Sequence, residues 1–159
     1  MKKYFLLLTA ISLLFNACEK KDTDNEVLEI DYPGMIIKSG YTCGWCVGGD
    51  SLILTGESGQ YYYGSPCYEG YYDTTFSVDA NTWKELNDLL DLDKFLAIDI
   101  NKCYMCADGC DYWLSIEYDT ISHYIRYGYP DSAVVAPIQP FIDKLNEIQS
   151  RFQFEPLED

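Results

Sequence analysis

Apolar residues along this chain alternate with two different periods, which predict strands in some segments and helices in others. Alternation with a period of two is typical of strands that bury one face. The predicted strands of the first half are residues 35–38, 51–55, 60–63 and 74–78. The turn sequence Gly-Glu-Ser-Gly at residues 56–59 predicts that the second and third of these strands form a hairpin.

A second hairpin is predicted over residues 112–127, with Tyr118 paired to Ile121. This register places Trp113 opposite Arg126 and His123 opposite Ile116. A slip by one residue would mix the apolar and polar faces, so the register is constrained. The apolar face then carries Tyr112, Leu114, Ile116, Ile125 and Tyr127.

Two helices are predicted by apolar residues at helical spacing. The first can be capped by Asp79 or Thr82 and buries Trp83, Leu86, Leu89 and Leu90; residues 91–99 should pack beneath the sheet edge. The last opens at Pro137 and buries Ile138, Phe141, Ile142, Leu145, Ile148 and Phe152. The predicted fold class is α+β: a two-layer sandwich with a mainly antiparallel sheet, two helices on one face, and disulfide stabilisation.

The N-terminus predicts export and lipidation. Lys2 and Lys3 precede an apolar run at residues 4–15 that is too short to span a membrane. The sequence Phe-Asn-Ala-Cys that ends at Cys18 resembles the lipobox of bacterial lipoproteins, in which the cysteine sulfur carries the lipid. The alternative is an ordinary cleaved signal peptide followed by a chance cysteine.

The predicted domain organisation has four parts. Residues 1–17 form the signal peptide and 18–29 an acidic, flexible tether. Residues 30–154 form a single α+β domain, and 155–159 a disordered tail.

The net charge of −15 at pH 7 disfavours nucleic acid and anionic membrane surfaces as partners. Removal of the signal peptide would take away two lysines and no acid, so the mature chain is more acidic still. This charge suits cationic partners or divalent ions, or serves solubility alone. No cofactor is expected.

Six cysteines remain after Cys18, an even number that favours three disulfides in an exported chain. We expect Cys67 to form a disulfide with Cys43 or Cys46. The remaining cysteine of that pair should then bond a cysteine of the loop at 103–110. The third disulfide should lie within that loop. Two alternatives use the Cys-x-x-Cys spacing: a zinc site, or a redox site at Cys43, which would need a helix N-terminus that the following residues do not supply. The predicted disulfide cysteines are Cys43, Cys46, Cys67, Cys103, Cys106 and Cys110.

The sequence carries no pattern typical of a catalytic triad, a phosphate-binding loop or a histidine-rich metal site. His123, the only histidine, is expected to be a partly buried, hydrogen-bonded ring rather than a catalytic base. The acid pairs Asp91 with Asp93 and Asp108 with Asp111 lie at a predicted helix end or turn, where acids are common. We therefore expect no enzymatic activity.

Tyrosine is concentrated in a stretch of twelve residues. Consecutive tyrosines on a strand point to both faces, so one side should show rings to solvent. Exposed tyrosines suit a sugar ring or a protein partner, while the alternative is that tyrosine simply forms strands well. The candidate ligand surface comprises Tyr61, Tyr62, Tyr63, Tyr68, Tyr71 and Tyr72.

The order of the predicted elements resembles a family of small uncharacterised bacterial exported lipoprotein domains. In that family a strand, a Cys/Gly loop and a hairpin precede a helix, a second hairpin and a closing helix. The matching stretches are residues 39–46, 83–95 and 111–145. The resemblance implies a fold and no catalytic residues.

The expected function is a lipid-anchored, non-catalytic binding or structural module of the bacterial cell envelope, at the outer membrane, with a Tyr-rich surface. Its expected partners are the membrane, through the lipid, and a glycan or envelope protein. One alternative is an acidic periplasmic inhibitor of a cationic enzyme. The other is a thiol redox or zinc protein.

Overall fold

The computed structural model describes residues 32–45, 47–65, 67 and 71–152. These residues form one antiparallel six-stranded sheet with the strand order β4-β3-β2-β1-β5-β6. The strands are β1 (Ile36–Cys43), β2 (Gly48–Leu54), β3 (Ser58–Gly64), β4 (Tyr71–Ser77), β5 (Cys110–Tyr118) and β6 (Ile121–Tyr127). The helices are α1 (Ala80–Leu89), α2 (Leu92–Leu96), α3 (Ser132–Val135) and α4 (Gln139–Ser150). The predicted α+β class is confirmed.

The core lies between one face of the sheet and the helices. Alternate strand residues supply the sheet side, and Leu86, Phe95, Phe141 and Leu145 supply the helical side. Because strand side chains alternate, the other face of the sheet stays outside this core. We call this face, which none of α1–α4 covers, the open face. The core strand residues are Ile37, Leu52, Leu54, Tyr61, Leu114, Ile116, Ile125 and Tyr127.

The first strand is longer than the sequence pattern indicates. The prediction ended it at residue 38, whereas β1 continues to Cys43. Its second half is small and polar, without a clear alternation of apolar residues. It is extended because β2 and β5 pair with it from both sides over almost its whole length.

The register of the second hairpin is confirmed. Tyr118 pairs with Ile121, and Trp113 pairs with Arg126. The two-residue turn is possible because Asp119 adopts a φ of 51°, a left-handed conformation that Asp tolerates better than most residues.

The first residues of α1 and α4 are set by local chemistry. Asp79 is the cap of α1: its carboxylate accepts a hydrogen bond from the Thr82 backbone N–H at 3.0 Å. The closing helix α4 begins at Gln139, two residues later than predicted, because a 3₁₀ turn at Ala136–Ile138 precedes it. Pro140 lies in its first turn, where the N–H that proline lacks would have had no intrahelical acceptor.

Two disulfides link described cysteines. Cys43 bonds Cys110 with a Cα–Cα distance of 4.1 Å, and Cys103 bonds Cys106 with a distance of 5.4 Å. The predicted crossing bond between the two cysteine loops and the predicted local bond are both confirmed. Cys67 is also disulfide-bonded. Its predicted link to the first loop stays a prediction, since Cys46 lies outside the described residues.

The predicted signal peptide, the predicted lipidation site Cys18, the predicted tether and the predicted C-terminal tail lie outside the described residues, so these predictions stay untested. Among the helices that are described, none has the length and apolar character needed to cross a membrane.

We expect Phe141→Ala to lower the free energy of unfolding by about 3–5 kcal/mol, because Phe141 is fully buried between α4 and the sheet. Urea unfolding with intact disulfides measures the change. Val134→Ala, at an exposed position on α3, is the control and should change stability by less than about 0.5 kcal/mol. A loss below about 1 kcal/mol for Phe141→Ala would mean that α4 is peripheral.

Candidate functional site

The tyrosines of the predicted ligand surface divide between the two faces of the sheet. Tyr62 and Tyr71 lie on the open face, and Tyr63 and Tyr72 on the helix side. Tyr61 is only 1% exposed and stacks on Phe152 with ring centroids 5.4 Å apart. Tyr61 is therefore a core residue and not part of a ligand surface. Tyr68 lies outside the described residues.

The open face carries two pairs of stacked aromatic rings. Tyr62 and Tyr71 stack with centroids 6.2 Å apart and planes 23° apart. Trp113 and Tyr124 stack on the other side of the sheet centre, at 6.4 Å and 23°. These pairs are separated by strands β1 and β2, so they form the two flanks of a shallow surface.

The floor between the aromatic pairs consists of small residues. Gly40, Gly49 and Gly64 occupy open-face positions on three adjacent strands. A Cβ atom at Gly40 would lie 2.6 Å from Cζ2 of Trp113. The indole therefore lies directly over this glycine, and a larger residue would displace it.

Two depressions of about 330 and 340 Å³ adjoin on this face. They share Thr42, Met105 and Trp113 as lining residues. Met105 belongs to the second cysteine loop, which thus reaches over the strands. We call the two depressions together the trough. Further lining residues are Cys43, Gly48, Gly49, Asp50, Ser51, Tyr62 and Gly64 on one side, and Asp111, Tyr124 and Arg126 on the other.

A buried ion pair holds the second cysteine loop against the sheet. Asp111 is 1% exposed, and its Oδ2 accepts hydrogen bonds from Nε of Arg126, at 2.9 Å, and from Nη2. Its Oδ1 accepts from the backbone N–H of Tyr104 at 2.6 Å. Arg126 also contacts Sγ of Cys103 at 3.2 Å. One carboxylate thus joins β5, β6 and the loop that carries Met105.

Charges on the open face are largely paired. Besides the Asp111–Arg126 pair, Lys38 bonds Glu117 at 2.6 Å between β1 and β5. The net charge of this face is therefore close to balanced, whereas the whole chain is strongly acidic.

The residues considered for catalysis have structural partners. His123 donates from Nε2 to the carbonyl oxygen of Ile98 at 2.9 Å and meets Phe95 edge to face, as expected of a partly buried ring. Asp91 caps α2, and hydrogen bonds from Lys94 lower the pKa of its carboxyl. Asp108 ends a 3₁₀ turn with a φ of 62°.

The cysteine pairing bears on the zinc and redox alternatives. Cys43 bonds Cys110 and Cys103 bonds Cys106, so these sulfurs are not available together as thiolate ligands. Across the described ranges, no group of three or more His, Cys, Asp or Glu residues is placed to hold a metal ion.

No protein-family model matches the chain, and no curated protein matches it in sequence.

The sequence prediction missed much of the trough. It named Trp113 only as the partner of Arg126 and assigned Gly40 to a loop. The available signal was the presence of glycines in three successive segments, at Gly40, Gly49 and Gly64, which is typical of strands over which larger side chains lie.

We expect Asp111→Asn to lower the free energy of unfolding by about 3 kcal/mol, because it leaves the Arg126 guanidinium without its carboxylate in a largely buried site. Urea unfolding measures this loss. Asp73→Asn, an exposed change on β4, is the matched control and should stay within about 0.5 kcal/mol. Equal effects of the two changes would contradict the anchoring role of Asp111.

Proposed function

We propose that this protein is a non-catalytic glycan-binding module of the bacterial cell envelope, held at the outer membrane by a lipid on Cys18. The trough is the proposed binding surface. The observation that carries the proposal is the pairing of two aromatic stacks with a glycine floor on a sheet face that none of the described helices α1–α4 covers.

The chemistry of the trough suits a sugar. The C–H face of a pyranose ring can pack flat on an aromatic ring such as Tyr62 or Trp113. Around these rings, Thr42 and Ser51 offer hydroxyls, and the Asp111–Arg126 pair offers charged hydrogen-bonding groups. Each depression has a volume near the lower limit of small-ligand pockets, which fits one or two sugar units.

The paired charges favour a glycan over a protein partner. A face that pairs Lys38 with Glu117 and Arg126 with Asp111 provides little net field to steer a charged protein. A neutral ligand with both hydroxyls and apolar ring faces matches it better. An envelope protein is the alternative occupant of the trough.

The proposed lipid anchor gives a role to the residues that precede the domain. A lipid on Cys18 and a polar tether would hold the domain close to the membrane while leaving it free to reorient. The acidic composition would keep the domain away from anionic lipid headgroups.

We expect Tyr62→Ala and Trp113→Ala each to weaken glycan binding by about tenfold, or 1.4 kcal/mol, because each removes a stacking plane. A glycan array with the full-length protein in detergent, followed by titration of the best ligand, measures this. Tyr129→Ala is the control, since Tyr129 is 87% exposed and lines neither depression. Circular dichroism checks the fold of each variant.

Two results would contradict the glycan proposal. One is equal affinity of all three variants for the bound glycan. The other is an absence of glycan binding together with salt-sensitive retention of a basic enzyme, such as a lysozyme, which would favour the acidic-inhibitor function instead.

The anchor has a separate test. We expect Cys18→Ser to move the protein from the membrane fraction to the aqueous phase in detergent partitioning, because the serine oxygen does not accept the lipid. Ser39→Ala, which leaves the N-terminus unchanged, should partition like the original protein. Continued membrane association of the Cys18→Ser protein would place the anchor elsewhere.

A further inference from the structure

A second aromatic array crosses the helix side of the sheet. Six residues, one from each strand, lie directly opposite one another in successive strand pairs. Five are tyrosines and one is an aspartate. We call this array the tyrosine row. In the order of the strands from β6 to β4, it consists of Tyr127, Tyr112, Tyr41, Asp50, Tyr63 and Tyr72.

A cleft of about 470 Å³ lies between part of this row and α4. This volume is within the range of small-molecule sites. The cleft opens between α4 and the helix side of the sheet, whereas the trough lies on the open face; Asp50 and Trp113 line both, and Gly40 also lines the cleft. Its helical wall consists of Ile142, Leu145, Asn146 and Gln149, and its sheet wall includes Ser39, Tyr41, Asp50, Tyr112, Leu114 and Tyr127.

Asp50 is a buried acid in this cleft without a basic partner. It is 8% exposed, and none of the Lys or Arg side chains in the described ranges forms an ion pair with it. Its Oδ1 accepts from Nε2 of Gln149 at 2.5 Å and its Oδ2 from the hydroxyl of Tyr61 at 3.3 Å. Burial raises the pKa of Asp50, although these hydrogen bonds oppose the shift. A carboxylate held in this way favours a cation beside it.

Ser39 is a second buried polar residue that lines the same cleft. It is 8% exposed, and its Oγ has no hydrogen-bond partner among the described residues. A buried hydroxyl without a partner destabilises the folded protein unless a bound group satisfies it. Ser39 pairs with Leu52 while Tyr41 pairs with Asp50, so Ser39 and Asp50 are diagonal neighbours. Diagonal neighbours lie about 7–8 Å apart, and their Cβ atoms somewhat less. One bridging atom with hydrogen bonds of about 2.8 Å on each side covers about 5.6 Å, so the two side chains must reach toward each other to share it.

We infer that this cleft binds the primary ammonium group of a small amine with an apolar body. The nitrogen donates one hydrogen bond to the carboxylate of Asp50 and one to Oγ of Ser39. The ring of Tyr41, adjacent to both residues in the sheet, supplies a cation–π contact. The apolar body lies against Leu145 and Tyr112.

The donor count selects this class over others. An ammonium group has three N–H donors, whereas a quaternary ammonium has none to give to Ser39. An anion would be repelled by the buried carboxylate of Asp50. A neutral alcohol could bond Ser39 but would leave the charge of Asp50 uncompensated. The phenol of Tyr127 adds no competing charge at neutral pH, since burial raises its pKa to about 12.

Benzylamine, benzyl alcohol and benzoate are the probes for this inference. Titration calorimetry with the full-length protein in non-ionic detergent, corrected with protein-free micelles, should show saturable binding of benzylamine alone. We expect Asp50→Asn to weaken it by at least about tenfold, since a charge-assisted hydrogen bond is lost, and Ser39→Ala by about three- to tenfold. Asp108→Asn, an exposed change of the same chemistry, and Tyr62→Ala, in the trough, should leave it unchanged.

Three outcomes would overturn the inference: no saturable binding of benzylamine, equal binding of benzyl alcohol, or equal effects of Asp50→Asn and Asp108→Asn. The melting temperature of Asp50→Asn is measured beside its affinity, because the amide removes the buried charge but replaces one of two accepting oxygens by an N–H donor. If that variant does not fold, Ser39→Leu is the alternative test of the site, because its larger side chain would occupy the cleft. Unchanged benzylamine affinity in that variant would exclude the site.

Discussion

The pairing of β1 with β5, closed by the Cys43–Cys110 disulfide, is the constraint on which the other features depend. These cysteines are directly opposed in the ladder, although 67 residues separate them in sequence. β1 lies between the strands of the first half of the chain and those of the second. Its register therefore sets which side chains meet on both faces: Gly40 meets Trp113 on the open face, and Tyr41 meets Tyr112 on the helix side.

The sequence predicts those parts of the fold where the local pattern and the tertiary packing agree. The second hairpin alternates clearly, so its register and the Trp113–Arg126 pair could be derived. The second half of β1 could not, because its residues are small and polar and become a strand only between two partners. The tyrosine cluster shows a similar limit: neighbours in sequence alternate between faces, and Tyr61 is buried because it stands beside Leu52.

The two faces of the sheet have different chemistry, which separates their proposed ligands. On the open face, acids and bases pair across strands, and aromatic rings lie flat over small residues. Such a surface suits a neutral, polar ligand. On the helix side, Asp50 is a buried, hydrogen-bonded acid and Ser39 is a buried hydroxyl without a partner among the described residues, and both line a cleft. Neither the paired charges nor the buried Asp50 and Ser39 follow from composition, since both depend on which residues of neighbouring strands lie beside each other.

The most direct test of the β1–β5 register is peptide mapping without reduction, combined with paired cysteine variants. We expect a fragment that links Cys43 to Cys110. In the chain-entropy model, the double variant Cys43→Ser/Cys110→Ser should lose about 4 kcal/mol of unfolding free energy for this long loop. Cys103→Ser/Cys106→Ser, with a sequence separation of 3, should lose about 2 kcal/mol or less. A fragment that links Cys43 to Cys46, or equal losses in the two double variants, would contradict this account.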